Sequence, residues 1–284
     1  MIKQKEIIEH SQKQGVPKTT IDKDWIIGHY LNAMYSLNDI SKNFIFKGGT
    51  CLKKCYFKNF RFSQDLDFTL LDRNFPIDKK FVNKVNILAE KNSGAKLYLS
   101  EINYQMAENI DQGYEIKIKF WGADHKPNQR PLSPKRWQTF IKLDISFSEK
   151  LTLKSEMKNI IHHYSDEKSI SNKVNVYSLE EIIAEKIRSL IQRNRPRDIY
   201  DIWYLTTIIE ESQYKDIQIV LHQKARDKNI TVESLEQFIN EEKREINKKA
   251  WQSSLEYQVG ENRLPGFDET YGKLEAFIEN ILNC

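Results

Sequence analysis

Residues 44–71 read FIFKGGTCLKKCYFKNFRFSQDLDFTLL, and this stretch decides the fold. Phe44-Ile45-Phe46-Lys47 is a short β-rich run that stops at Gly48-Gly49. A helical segment follows with Thr50 near its start, then a polar loop over 58–64, then a second β-rich run from Asp65 to Leu71. In Asp65-Leu66-Asp67 the acids sit at i and i+2, so on a strand both carboxylates share one face and Leu66 takes the other. Two carboxylates so placed suit a hard cation, because Mg²⁺ takes oxygen ligands and commonly completes its shell with substrate phosphates. The glycines add the complementary half. A strand running into Gly48-Gly49-Thr50 and then a helix presents bare N–H groups at a helix N-terminus, a setting that favours phosphate. Glycine also leaves no Cβ in the path of the triphosphate. Thr50 contributes a hydroxyl, and Lys47 or Lys53 contributes charge.

Outward from this centre, the first 40 residues carry helix-like spacing, with Ile27, Leu31, Met34 and Tyr35 on one stripe. Pro76 fits the start of a helix that Ser93-Gly94 ends. Strand-like segments follow at 95–106, 113–121 and 139–147, the last two separated by a Pro-rich basic loop. In Ile141-Lys142-Leu143-Asp144-Ile145-Ser146-Phe147 the apolar positions alternate with Lys142, Asp144 and Ser146. An acid in so apolar a strand is costly unless it emerges at a site, so Asp144 is the third carboxylate. Residues 151–170 give no clear pattern, and from Ser178 the chain turns helical. The organisation is α+β: a mixed β-sheet head with flanking helices over 1–175, then a helical C-terminal domain over 176–284. Three acids with a phosphate loop are what two-metal nucleotidyl or phosphoryl transfer requires.

Composition narrows the setting. The 284 residues are 39 % hydrophobic, enough for a real core, and 30 % charged with a net charge of +4. That small excess permits an anionic partner without demanding one. The N-terminus MIKQKEIIEHSQKQG is neither a signal peptide nor an anchor, and no stretch approaches the roughly 20 apolar residues that span a bilayer. Cys51 and Cys55, four apart on a helix, have poor bridging geometry, so the three cysteines read as reduced and the location as cytoplasmic.

Five segments in order, FKGGTCLKKCY, RFSQDLDFTL, IKLDISF, SLEEIIAEKIRSLIQR and RPRDIYDIWYL, resemble the AbiEii/AbiGii nucleotidyltransferase family, over roughly residues 22–210. The resemblance implies a polymerase-β-like nucleotidyltransferase head and a helical C-terminal region. It matches Gly48, Gly49 and Thr50 to the phosphate loop, Asp65 and Asp67 to the metal pair and Asp144 to the third acid; Lys47 and Ser63 join the glycines in the expected nucleotide- and phosphate-binding set. It gives Lys186 a nucleotide-facing role and matches Asp198 to the acid of the RD-x-YD segment. It implies Mg²⁺, with Mn²⁺ as the substitute, a nucleoside triphosphate substrate and a cognate antitoxin. The acceptor candidates include RNA, the acceptor end of tRNA among them. Two departures stand out: Thr50 replaces the superfamily's Ser, and the 50–65 loop is long.

Read by residue type alone, Lys186 is a solvated lysine paired with Glu181 or Glu185, and Asp198 caps or pairs with an arginine. His162-His163 with His125 lacks zinc spacing and reads as solvated loop histidines. The basic loop 126–136 with Trp137 suits either RNA or plain solvation. Two other functions use the same residues: a kinase-like phosphoryl transfer and a non-catalytic nucleotide-binding module. Transfer of the α-phosphate, transfer of the γ-phosphate, or binding without turnover separates the three.

Overall fold

The computed structural model describes residues 1–107, 110–126, 128–260 and 263–284. Its strands are β1 (Phe44–Lys47), β2 (Asp65–Leu70), β3 (Lys96–Ala107), β4 (Ile110–Trp121), β5 (Phe140–Ser146), β6 (Glu156–Asn159) and β7 (Lys173–Val176). They form one seven-stranded sheet in the order β3-β4-β5-β2-β1-β7-β6. β2 pairs with β5 and β1 with β7 in parallel; the other neighbours are antiparallel. The two strands absent from the sequence reading, β6 and β7, have four residues each. Neither has the aromatic, β-rich run and glycine stop that mark the equally short β1, and their pairing comes from the sheet beside them.

The chain divides into two compact units: Met1–Ser148 with Ser155–Val176, and Glu149–Lys154 with Tyr177–Cys284. The first holds the sheet with α1 (Gln4–Gln14), α2 (Lys18–Tyr35), α3 (Ile40–Asn43), α4 (Gly48–Cys51) and α5 (Lys79–Ser93). α5 starts three residues after Pro76, because Asp78 caps it by accepting the Phe81 N–H at 2.7 Å. α2 is buried along nearly its whole length, so each of its polar side chains needs an internal partner. Asp24 meets Lys54 at 3.0 Å, and Asn32 accepts the N–H groups of Ser171 and Asn172 at 3.0 Å each.

Asp22 is the most exacting of these groups. Its carboxylate accepts the Ala123 N–H at 2.7 Å and lies flat on Gly122, where a Cβ would come within 2.4 Å of Oδ1. Burial pushes its pKa up to about 7, against the pull of the backbone hydrogen bonds. The folded pKa lies above the unfolded one, so stability is full below pH 4 and falls as pH rises towards 7. Asp22→Asn keeps the acceptor and removes the charge. The variant's advantage over wild type is therefore expected to grow with rising pH, levelling off above pH 7 at about 4 kcal/mol. Denaturation curves of both proteins between pH 4 and 8.5 check this; a difference independent of pH would count against it.

The second unit contains α6 (Leu179–Gln192), α7 (Pro196–Thr206), α8 (Tyr214–Arg226), α9 (Glu241–Val259) and α10 (Phe267–Leu282). Ser178 caps α6 by accepting the Glu181 N–H, and Ile182, Ile183, Ile187 and Leu190 form its buried stripe. The wholly buried Glu181 accepts the N–H groups of Thr152 and Leu153 and pairs with Lys224 at 2.7 Å. That one carboxylate fixes the segment Glu149–Lys154 to the helices. Among the described residues, no helix is long and apolar enough to cross a membrane.

Candidate active site

The register of the sheet assembles the acids. Asp67 on β2 lies opposite Asp144 on β5, and Asp65 lies opposite Lys142. β4 sets Glu115 beside Asp144, and β1 sets Lys47 beside Asp67. Side chains at paired positions share a face, so Glu115, Asp144, Asp67 and Lys47 form one row across four strands. Asp65 and Lys142 lie in the adjoining row of the same face. All three acids singled out in the sequence therefore meet on one side of the sheet.

Lys142 reaches from the adjoining row, with Nζ 2.7 Å from Glu115 and 3.2 Å from Asp144. Burial works against its ammonium, but the Glu115 hydrogen bond and the two acid charges outweigh it and hold the pKa above the usual range. Burial likewise pushes the Asp144 carboxyl up; Lys142 pulls it back, while Asp65 and Glu115 push further the same way. A clustered, partly desolvated carboxylate of this kind gains most from an added cation. Lys23 of α2 borders the group, donating to Gln64 at 2.8 Å, and Asp65 offsets the burial that lowers its pKa.

Sequence reading missed Glu115, Lys23 and Gln64. The alternation in Tyr114-Glu115-Ile116-Lys117-Ile118-Lys119 does put Glu115 on one face with two lysines. Such a face is ordinarily solvated, and nothing local says that β5 pairs next to it. Lys23 comes from a helix 42 positions before Asp65.

The glycine turn is shaped around the acids. α4 starts at Gly48 itself, ahead of Thr50, and Gly48 has φ +76°, a left-handed conformation. A Cβ at Gly48 would stand 2.4 Å from Asp67 Oδ2, and one at Gly49 would stand 2.8 Å from Arg61 Nη2 and 3.2 Å from Ser63 Oγ. Ser63 and Arg61 thus lie against the second glycine. Thr50 is wholly buried and donates its hydroxyl to the Asp65 carbonyl, which pins the turn to β2. Lys47 is buried at the head of the turn. Lys53 is directed elsewhere, donating to the carbonyls of Lys58 and Phe60 at 3.0 Å each. It staples the long loop that separates Thr50 from Asp65.

Gly48→Ala is expected to lose activity far out of proportion to its stability. A residue with a Cβ pays about 1–2 kcal/mol for the left-handed backbone. It also drives Asp67 aside, and a displacement of that order costs about 10²-fold in rate. Gly49→Ala meets the side-chain ends of Arg61 and Ser63 with no left-handed backbone to strain, and is expected to lose less. Transfer rates beside denaturation curves for both variants check the contrast; equal losses would refute it.

In the second unit, Asp198 and Asp201 lie on one face of α7, and both engage Lys186. Lys186 Nζ is 2.6 Å from Asp201 and 3.5 Å from Asp198, while Arg193 holds Asp198 through Nε at 3.1 Å. Lys186, Asp198 and Asp201 are all buried. Lys186 is therefore not the solvated lysine that residue type alone suggests, and Glu181 belongs to Lys224 instead.

The histidine reading also needs correction. His162 is buried, and with His29 and Asp166 it makes the one His/Asp metal-type cluster among the described residues. Both Nε2 atoms donate to Asp166, at 2.9 and 3.0 Å, and Trp25 Nε1 adds a third bond at 3.0 Å. Those bonds overcome burial and hold the Asp166 carboxyl well below the usual carboxylate range. A metal-bound imidazole normally passes its second N–H to an acceptor. Here both Nδ1 atoms are buried without one, and a Cβ at Gly28 would come within 2.3 Å of His162 Nδ1. The cluster fits an anchor between α2 and the 162–166 turn better than a metal seat.

The basic loop changes too. Trp137 is buried, donates to the Leu132 carbonyl at 2.8 Å and packs near Trp121, so it does not offer a ring to a base. Pro127 of that loop lies outside the described residues.

A mixed sheet that brings three carboxylates to one face beside a Gly-Gly turn fits a nucleotidyltransferase. The family model "Nucleotidyl transferase AbiEii toxin, Type IV TA system" matches residues 29–273, and the chain belongs to that family. Its fold is similar to that of MenT4, a nucleotidyltransferase toxin from Mycobacterium tuberculosis H37Rv. The TM-score is 0.68 at 15 % identity, covering 100 % of this chain and 91 % of MenT4. No curated relative matches the chain by sequence. The protein is a toxin-type nucleotidyltransferase, and the family brings a nucleoside triphosphate substrate and an antitoxin partner. Enzymes of this class generally use divalent metals.

Proposed function

We propose that this enzyme transfers a nucleoside monophosphate from a nucleoside triphosphate to RNA, with the acceptor end of tRNA as one candidate target and Mg²⁺ as the metal. The observation that carries the reading is the convergence of Asp65, Asp67 and Asp144 on one sheet face against Gly48. The donor set fits Mg²⁺: three carboxylates supply hard oxygens, and Gly48 keeps Cβ atoms away from Asp67. When bound, the ion supplies charge neutralisation for the triphosphate and activation of the attacking hydroxyl.

The chain's own residues do the rest. Gly48 and Gly49 let the phosphates approach the backbone, with Ser63 beside them and Lys47 supplying charge. Thr50 positions the turn through its bond to the Asp65 carbonyl. The acceptor hydroxyl oxygen bonds to the α-phosphorus, the bond to the bridging oxygen breaks, pyrophosphate leaves and the hydroxyl proton passes to solvent. The net charge of +4 and the basic loop favour RNA as acceptor. A triphosphate substrate together with free Cys51, Cys55 and Cys284 favours the cytoplasm.

The test is to incubate the protein with Mg²⁺, each α-labelled triphosphate and total bacterial RNA, then resolve RNA, protein and free nucleotide. Label entering RNA is the expected result. Label on protein alone would overturn the choice of acceptor, and γ-label moving without α-label would overturn nucleotidyl transfer.

A further inference from the structure

The first unit contains a polar cavity of about 250 Å³ that shares no lining residue with the acid face. Four lysines line it, Lys13, Lys53, Lys54 and Lys58, with His163 and a single carboxylate, Asp24. That carboxylate is already engaged: its Oδ2 accepts from Lys54 at 3.0 Å and from the Tyr164 hydroxyl at 2.9 Å. The positive charge therefore exceeds the negative around this space. Burial, followed by Lys58, Lys54 and Lys53, drives the His163 imidazole down to about 4, as a cationic surrounding requires.

The backbone here is unusual as well. Lys53 and Lys54, both buried, sit on a π-helical turn, Leu52–Tyr56, where the Phe57 N–H reaches back to the Leu52 carbonyl at 2.8 Å. Such turns are rare, and they are frequent at functional sites. The bulge sets two successive lysine side chains towards one cavity and costs helix regularity. Lys53 bonds loop carbonyls and Lys54 pairs with Asp24, so a single carboxylate answers two buried ammonium groups beside this space.

We propose that this cavity is a phosphate-binding site, separate from the acid face, that takes one phosphate or diphosphate group. Lysine ammonium groups bind phosphate as point charges, and the cavity is smaller than those that enclose whole drug-sized ligands. The exposed Lys13 and Lys58 form its mouth, where a phosphate of an RNA backbone or of a free polyphosphate enters with the same chemistry.

The test is calorimetric titration of the full chain in EDTA with pyrophosphate and, separately, with a short single-stranded RNA, while NMR follows the His10 and His163 imidazole signals. Saturable binding that shifts His163 is expected. Lys13→Gln/Lys58→Gln, both at exposed positions, is expected to weaken it about tenfold or more and to lower the salt dependence by about two phosphate contacts. Asp65→Asn/Asp67→Asn is expected to leave it unchanged. A response to RNA alone identifies a backbone phosphate as the ligand, and a response to pyrophosphate alone identifies a free polyphosphate. No saturable binding of either, or equal binding by the lysine double variant, overturns the proposal.

Discussion

Asp65→Asn/Asp67→Asn is expected to lower nucleotidyl transfer by at least about 10³-fold while leaving the fold intact, since charge stabilisation worth several kcal/mol is lost and each 1.4 kcal/mol is tenfold. The two residues are half-buried on an open strand face, and asparagine keeps their size and their accepting oxygen. Removing two like charges beside Asp144 relieves repulsion, so the melting temperature is expected to hold or rise. Mn²⁺ binding followed by electron paramagnetic resonance gives a reading independent of turnover. Wild-type protein is expected to bind Mn²⁺ and the variant to lose that binding. Transfer within tenfold of wild type, or unchanged Mn²⁺ binding, would place the metal away from this face.

The contrast with Asp144 sharpens the expectation. Lys142 bonds both Asp144 and Glu115, so a cation arriving at Asp144 competes with an ammonium already there. Glu115 offers Lys142 a second partner at 2.7 Å, which keeps that lysine compensated when Asp144 is drawn to a metal. In the proposed mechanism Asp65 and Asp67 form the primary metal seat and Asp144 completes it.

How much of this was legible in the sequence depends on the range over which each signal acts. Alternation of period two and glycine punctuation are local, and they located β1, β2, β5 and the turn at Gly48. They also gave the shared face of Asp65 and Asp67, because that follows from spacing on one strand. The row from Glu115 to Lys47 was not legible, because it depends on the order β4-β5-β2-β1, and no residue encodes its neighbour two strands away. The same limit hid His29 beside His162, which are 133 positions apart, and made His162 look solvated. The Lys53 staple was hidden for a related reason: its acceptors are backbone carbonyls, which leave no trace in residue type.

Lys186 is the residue for which structure and family resemblance pull apart, and a pair of variants decides between them. Its ammonium lies 2.6 Å from the wholly buried Asp201 and 3.5 Å from Asp198. Lys186→Met removes the ammonium that two buried carboxylates share, and breaking such an arrangement costs about 3–5 kcal/mol. A loss of transfer in that single variant would therefore say little about catalysis. Lys186→Met/Asp201→Asn removes the charge left behind and is expected to recover most of the stability, by the same logic that makes replacement of a whole buried pair nearly neutral. Transfer measured on the stabilised double variant is then interpretable. If it stays down by about 10²-fold, the loss seen when a positioned charge is removed from a reacting group, Lys186 serves the nucleotide as the family implies. If it recovers along with stability, the lysine's work is to hold α6 against α7, and the charge that meets the triphosphate must come from Lys47 and the glycine turn.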